Sequence, residues 1–214
     1  LAARERPPKI GAPPLRAARS IGMNLSTVAS FACAAALASA GVARAVERAI
    51  EKEVVVAAPI QAVWQSWTTK AGIESFFAPE AEIEPKVGGA FHIHINPFGE
   101  PGMKGADDMR FMALQAPTML SFDWNAPPSL PEIRKQRTFV VVRLADVDGK
   151  STRVSLHHTG WGDGSEWDKA YTYFDRAWGN VLANLKKRHE SGPVDWTDWL
   201  ARLKAPPAAA STPK

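Results

Sequence analysis

Residues 164–190, GSEWDKAYTYFDRAWGNVLANLKKRHE, constrain this chain more than any other stretch. Trp167, Ala170, Tyr171, Phe174, Trp178, Val181, Leu182 and Leu185 recur at spacings of three and four, which puts them on one face of a helix. Asp163 or Ser165 is expected to cap its start, and Glu166 and Asp168 fall in the first turn, where the helix dipole favours negative charge. Lys186, Lys187, Arg188 and His189 crowd the other end, and Gly192-Pro193 stops it. A stripe carrying four aromatic residues is not stable alone in water. The fold must therefore supply a broad apolar surface for this helix to lie on.

The preceding sequence supplies strands. Residues 46–58 contain the β-rich run Glu53-Val-Val-Val-Ala. Pro59 opens a short helix in its first turn, where its missing N–H costs nothing, and Ile60, Val63, Trp64 and Trp67 form that helix's apolar face. Thr68 or Thr69 caps a second short helix carrying Ile73, Phe76 and Phe77, ended by Pro79. Six strands are then expected. They are 81–87 and 90–95 around Gly88-Gly89, 107–115 and 118–125 around Ala116-Pro117, and 137–146 and 151–159 around Asp148-Gly149. In the last pair, Val140, Val142 and Leu144 share a face with Thr152, Val154, Leu156 and His158. Residues 96–105 and 126–132 are rich in Pro and Gly and read as loops. The hairpins make the sheet antiparallel, and its apolar face must be buried against the long helix.

The ends read differently. Residues 1–45 look like a leader. They hold a basic segment with Arg16 and Arg19, an alanine-rich apolar run at 28–40 too short to span a membrane, and a small-x-small pattern at Ala43-Arg44-Ala45. Cleavage after Ala45 and a periplasmic or secreted location are expected, with Met23 an alternative start and no integral membrane span left after cleavage. The leader holds six basic residues and one acidic residue. Of the chain's 26 basic and 22 acidic residues, 20 and 21 therefore belong to the remainder, which gives no case for a nucleic-acid partner. Cys33, the only cysteine, is an apolar leader residue, so neither a disulfide nor thiol chemistry is expected in the mature chain. The domain is expected over 46–192. A short helix at 193–204 carries Trp196, Trp199, Leu200 and Leu203, and the tail 205–214 is expected to be disordered.

Several segments, in this order, resemble one family. Val54-Val-Val-Ala-Ala-Pro-Ile-Gln-Ala-Val-Trp is similar to the opening of the SRPBCC (START/Bet v 1-like) superfamily. Ile73-Glu-Ser-Phe-Phe-Ala-Pro, Pro85-Lys-Val-Gly-Gly-Ala-Phe, Leu120-Ser-Phe-Asp-Trp and Ser151-Thr-Arg-Val-Ser-Leu-His-His-Thr-Gly-Trp are similar to its AHSA1-like branch, named for the activator of Hsp90 ATPase. The likeness runs over about residues 47–190. It implies an α+β helix-grip fold: a curved antiparallel sheet around a long C-terminal helix, two short helices after the first strand, and a cavity between sheet and helix.

Function is read from the residues that would line such a cavity. Large rigid aromatics with few polar groups suit a hydrophobic or aromatic small molecule. The expected lining is Trp67, Phe77, Phe91, Phe122, Trp124, His158, Tyr171, Phe174 and Trp178. No serine sits in a nucleophile elbow, and no Gly-rich phosphate loop is present, so the reading is a non-enzymatic binding module without a cofactor. One alternative is a hydrolase or cyclase using His158 as acid or base. Another, implied by the resemblance, is a co-chaperone of the Hsp90-activator kind. His92-x-His94 places two imidazoles on one strand face, but a third ligand is lacking, and no metal is expected. The sequence fixes no oligomeric state.

Overall fold

The structure, a computed structural model, describes residues 47–205. The expected leader, its cleavage point after Ala45 and most of the 205–214 tail lie outside the described residues.

The chain opens with strand β1 (Ile50–Val56). Helices α1 (Ile60–Thr68) and α2 (Lys70–Glu74) follow. Thr69 is the cap between them: its side chain accepts a hydrogen bond from Gly72 N–H at 3.0 Å. Gly72 itself is dictated by packing, because a Cβ there would lie 2.3 Å from the Gln65 carbonyl oxygen of α1.

Strands β2 (Glu80–Ile83), β3 (Phe91–His94) and the two-residue β4 (Gly105–Ala106) form a small antiparallel sheet. Strands β5 (Phe111–Gln115) and β6 (Met119–Trp124) come next, then the one-turn helix α3 (Pro131–Arg134). Strands β7 (Thr138–Asp146) and β8 (Thr152–Thr159) form the last hairpin. The larger sheet has the order β1-β8-β7-β6-β5. A bridge between Ala90 and Arg110 and the bond from Phe91 N–H to the Met109 carbonyl join the small sheet to its β5 edge.

The inward faces follow the alternation. Val140 lies opposite His158, Val142 opposite Leu156 and Leu144 opposite Val154, and all six are buried. Helix α4 (Ser165–Ser191) buries Trp167, Ala170, Phe174, Trp178, Val181, Leu182 and Leu185. From Phe174 onward, this stripe shares one hydrophobic cluster with the inner faces of both sheets and with Val63, Trp67, Ile73, Phe76 and Phe77 of the α1–α2 region. At roughly 1.5–3 kcal/mol for each large side chain taken from water, that cluster is the main stabiliser of the domain. This is the α+β helix-grip architecture: a large antiparallel sheet, not closed, holding a long C-terminal helix.

Three local expectations need correction. The strand expected at 107–115 is interrupted. Asp107 turns its carboxylate back to the Gly105 N–H, Asp108 adopts φ 62°, and only Phe111–Gln115 joins the ladder of β6. With β4 counted, seven strands rather than six lie between the short helices and α4. Neither Asp163 nor Ser165 caps α4: Gly164 occupies the cap position at φ 103° with no side-chain bond. The proline-rich loop also contains a helical turn. Its Leu130 and Ile133 form a second small core with Trp167 and Ala170 of α4.

After Gly192 (φ 96°) the chain turns back over the domain. Val194 N–H bonds the Ser75 carbonyl, and the indoles of Trp196 and Trp199 donate to the carbonyls of Glu74 and Ile95 at 2.7 and 2.8 Å. Helix α5 (Thr197–Lys204) is held by these bonds.

Candidate functional site

The space between sheet and helix is largely filled by aromatic side chains. Trp67, Phe91, Phe122 and Trp178 are no more than 1 % exposed, and Phe77 and Trp124 only slightly more. Their rings meet in offset stacks and edge-to-face pairs. Examples are Phe91 on Phe122 at 4.1 Å, Phe77 on Trp124 at 5.9 Å, Trp67 on Phe76 at 5.2 Å and Trp124 on Trp178 at 5.2 Å. Rings of this size tile the interior without crowding because neighbouring planes tilt against one another.

His158 is built into this interior. The Trp178 indole N–H donates to its Nδ1 at 2.9 Å, so that nitrogen carries no proton. Its Nε2–H then donates to Thr138 Oγ1 at 2.7 Å, and the Thr138 hydroxyl donates to the Trp124 carbonyl at 3.2 Å. Every donor and acceptor in this chain has a partner. Burial, with a smaller contribution from His157, pushes the His158 pKa down to about 3, so the ring stays neutral. A fully buried imidazole with both nitrogens committed orders the sheet against α4. It has no free nitrogen to offer a substrate.

The opening lies at one end of this packed interior. A recess of about 290 Å³ sits between the loop 96–105, the segment after β6 and helix α4. One wall is Ile95, Met103 and Gly105; the opposite wall is Trp124, Asn125, Ala126, Pro127 and Pro128; Tyr173 and Phe174 form the floor from α4. Met103 and Tyr173 are about half exposed at its rim. The polar groups are few: Asn96, Lys104 and Asn125. The Asn96 side-chain Oδ1 accepts from Phe98 N–H at 3.2 Å. Asn125 is buried as a residue and lines the recess. The Trp124 indole N–H is buried without a partner.

Arg134 holds the two walls together. From α3 it donates to the Ala126 carbonyl on one side and to the Gly102 and Gly105 carbonyls, each at 2.7 Å, on the other. Asp107 completes the set at 3.1 Å. Burial lowers the Arg134 pKa and the neighbouring Asp107 opposes that shift, leaving a cation shared among main-chain oxygens. The second small core behind the proline-rich segment fixes that wall from outside.

Of the nine residues the sequence proposes as lining, the structure brings Trp124 and Phe174 to this recess. Trp67, Phe77, Phe91, Phe122, His158 and Trp178 lie in the packed interior behind it. Tyr171 sits at another edge of α4, donating to the Ala49 carbonyl at 2.8 Å beneath the Arg48 guanidinium. Sequence reasoning missed Tyr173, Lys104, Asn125 and Arg134. The two loops rich in proline and glycine were the available signal, because such segments on a rigid scaffold carry sites. Tyr173 had no such signal, since it lies off the apolar stripe.

Elsewhere, His92 and His94 face outward from β3 and pair with Glu82 and Glu80 at 3.1 and 2.7 Å. Among the described residues no group of three or more metal-binding side chains occurs, and no helix is long and apolar enough to cross a membrane.

The family described as activator of Hsp90 ATPase homolog 1-like protein matches residues 57–190. Among solved structures, a protein from Mesorhizobium loti is similar at 20 % identity and TM-score 0.55, covering 69 % of this chain and 100 % of its own. The Aha1 dimer from Colwellia psychrerythraea is similar at 18 % identity and TM-score 0.52, covering 68 % and 98 %. An HSP90 activator from Plasmodium falciparum is similar at 16 % identity and TM-score 0.50, covering 68 % and 97 %. No curated protein matches the sequence significantly.

Proposed function

This chain belongs to the activator of Hsp90 ATPase homolog 1-like family, and on that premise we propose that it binds a hydrophobic or aromatic small molecule without transforming it. The observation that carries this reading is the recess of about 290 Å³ between loop 96–105, Pro127-Pro128 and the α4 residues Tyr173 and Phe174. Its size is at the low end for ligand pockets, and its walls are mostly apolar with a few polar groups, as small-molecule sites are. The interior behind it is already filled, so the ligand occupies the mouth of the grip and not its centre. The commitment of both His158 nitrogens argues against acid–base catalysis at that residue.

Two measurements test the reading. Organic extraction of the purified protein followed by mass spectrometry should recover a hydrophobic compound in near-stoichiometric yield. Calorimetric titration with 2-naphthamide, a neutral aromatic probe, should show one site, and Tyr173→Ala should weaken it about fivefold. Tyr173 is half exposed, so its truncation should change stability by only about 0.5 kcal/mol. No recovered compound together with no titratable site would end the proposal.

The apolar run and Ala43-Arg44-Ala45 pattern of residues 1–45 support export to a periplasm or medium. Fractionation of cells carrying the tagged full chain tests this, with a cytosolic full-length product as the contrary outcome. The family description favours a second reading, a co-chaperone for an Hsp90-type protein, which a cytosolic location and a chaperone pulldown would support together.

A further inference from the structure

Resting on the pocket reading above, we infer that the ligand of the recess is a hydrophobic carboxylate, with its acid group held at Lys104 and Asn125 and its apolar body on Trp124, Tyr173 and Phe174.

The charge balance of the recess comes first. Among its lining residues Lys104 is the only ionised side chain, and no Asp or Glu is present. Lys104 makes no salt bridge among the described residues. Glu80, Asp107 and Asp108 all lie outside the lining of this recess, the last two sharing a neighbouring surface recess with Lys104. Glu80, whose carboxyl is held below its usual range chiefly by its hydrogen bond from His94 and more weakly by Lys104, pairs with His94 at 2.7 Å. Asp107 accepts from Gly105 N–H at 3.0 Å and from Arg134 at 3.1 Å. A second cation, Arg134, lies behind both walls, with its charge answered by Asp107. The recess is therefore an apolar slot whose lining carries one cation and no carboxylate, with Glu80 within electrostatic reach of that cation from outside the lining. Such a site favours an anion, and the low-dielectric walls strengthen the attraction.

Hydrogen-bonding capacity points the same way. Asn125 lines this wall, and the indole N–H of Trp124, another lining residue, is buried without a partner. Buried polar groups are nearly always paired in folded proteins, so the unmet indole of a wall residue marks the side of the recess where a ligand's polar end belongs. The indole and the ammonium can only donate, and the Asn125 amide donates through its NH2 and accepts through its Oδ1. A carboxylate, with two acceptor oxygens and no proton, matches this set. An amine would set a like charge against Lys104, and an alcohol would bring no charge to answer it.

The test compares acids with their own neutral amides on the full chain. Calorimetry with 2-naphthoate against 2-naphthamide, and decanoate against decanamide, separates head-group recognition from apolar fit. For at least one pair the acid should bind about tenfold more tightly, the worth of one charge-assisted hydrogen bond. That advantage should shrink as salt is raised, and Lys104→Met should bring the acid down to the affinity of its amide. Circular dichroism of the variant checks that it folds. Equal binding of acid and amide in both pairs would overturn the inference and leave the pocket reading standing. An acid preference untouched by Lys104→Met and by salt would also overturn it. If none of the four compounds binds, the pocket reading fails and this inference fails with it.

Discussion

The two halves of helix α4 face the same sheet and end in opposite states. From Trp178 to Leu185 the helix closes onto the interior, where Trp178, Leu182 and Leu185 are at most 3 % exposed and the Trp178 N–H is spent on His158. One turn earlier, at Tyr173 and Phe174, the sheet side falls away and two loops form the walls of a recess. In the closed half an unbroken chain of hydrogen bonds runs from Trp178 through His158 and Thr138 to the Trp124 carbonyl, and the Trp67 indole N–H is the polar group left without a partner there among the described residues. The open half leaves the Trp124 indole unmet and Lys104 without a salt bridge among the described residues. The closed half serves stability and the open half serves binding. Trp124 belongs to both, with its ring packed on Trp178 and its edge in the recess wall.

That division can be broken most forcefully at Trp178. Trp178→Ala removes a ring 1 % exposed and the donor to His158, and should destabilise the domain by about 3–5 kcal/mol in urea unfolding. A loss below about 1 kcal/mol would mean that the closed half is not the structural half.

The second test is the pH dependence of His158. Its folded pKa of about 3 lies below the ordinary unfolded value of roughly 6.5. Above pH 6.5 the ring is neutral in both states and stability is fully retained. As pH falls toward 3 the unfolded chain takes up a proton that the folded chain refuses, and stability is lost. At pH 4 the loss relative to neutral pH should reach about 3 kcal/mol from this residue alone. His158→Gln keeps a donor and an acceptor, and its stability should fall less steeply between pH 6.5 and 4. Parallel unfolding curves for the two proteins across that range would remove His158 from the closed half's account.

Arg134 gives the smallest effect on stability and the sharpest contrast. Arg134→Met frees the carbonyls of Ala126, Gly102 and Gly105 and leaves Asp107, 12 % exposed at its side chain, without its cation. A cost of about 1–3 kcal/mol is expected, because water can reach part of this network. Affinity for 2-naphthamide should fall with it, since the two walls lose their common anchor. Unchanged affinity in a destabilised Arg134→Met protein would show that the walls stand without the arginine.

Much of the closed half was legible in the sequence. The stripe on α4, the parity of Val140, Val142 and Leu144 with Val154, Leu156 and His158, the Thr69 cap and the Gly192 stop each follow from spacing or from one residue's backbone preference. Local rules act over three or four residues, and these features extend no further. The family likeness was legible for a related reason, since its motifs lie mostly on those same elements. The break at Asp107–Asp108 and the turn Pro131–Arg134 were not. In both, a contact made at long range, with Arg134 or with Trp167, sets a backbone that the local pattern leaves open.

By itself the sequence determined which side chains point inward. Periodicity settles that, because hydrophobic residues on one face must leave water. Only the tertiary structure decided which inward space is full and which is empty. Empty volume is what remains when side chains from distant segments have been placed, and no single segment carries that difference. The recess joins residues 95–105, 124–128 and 173–174, and its anchor at Arg134 reaches carbonyls 8, 29 and 32 positions away.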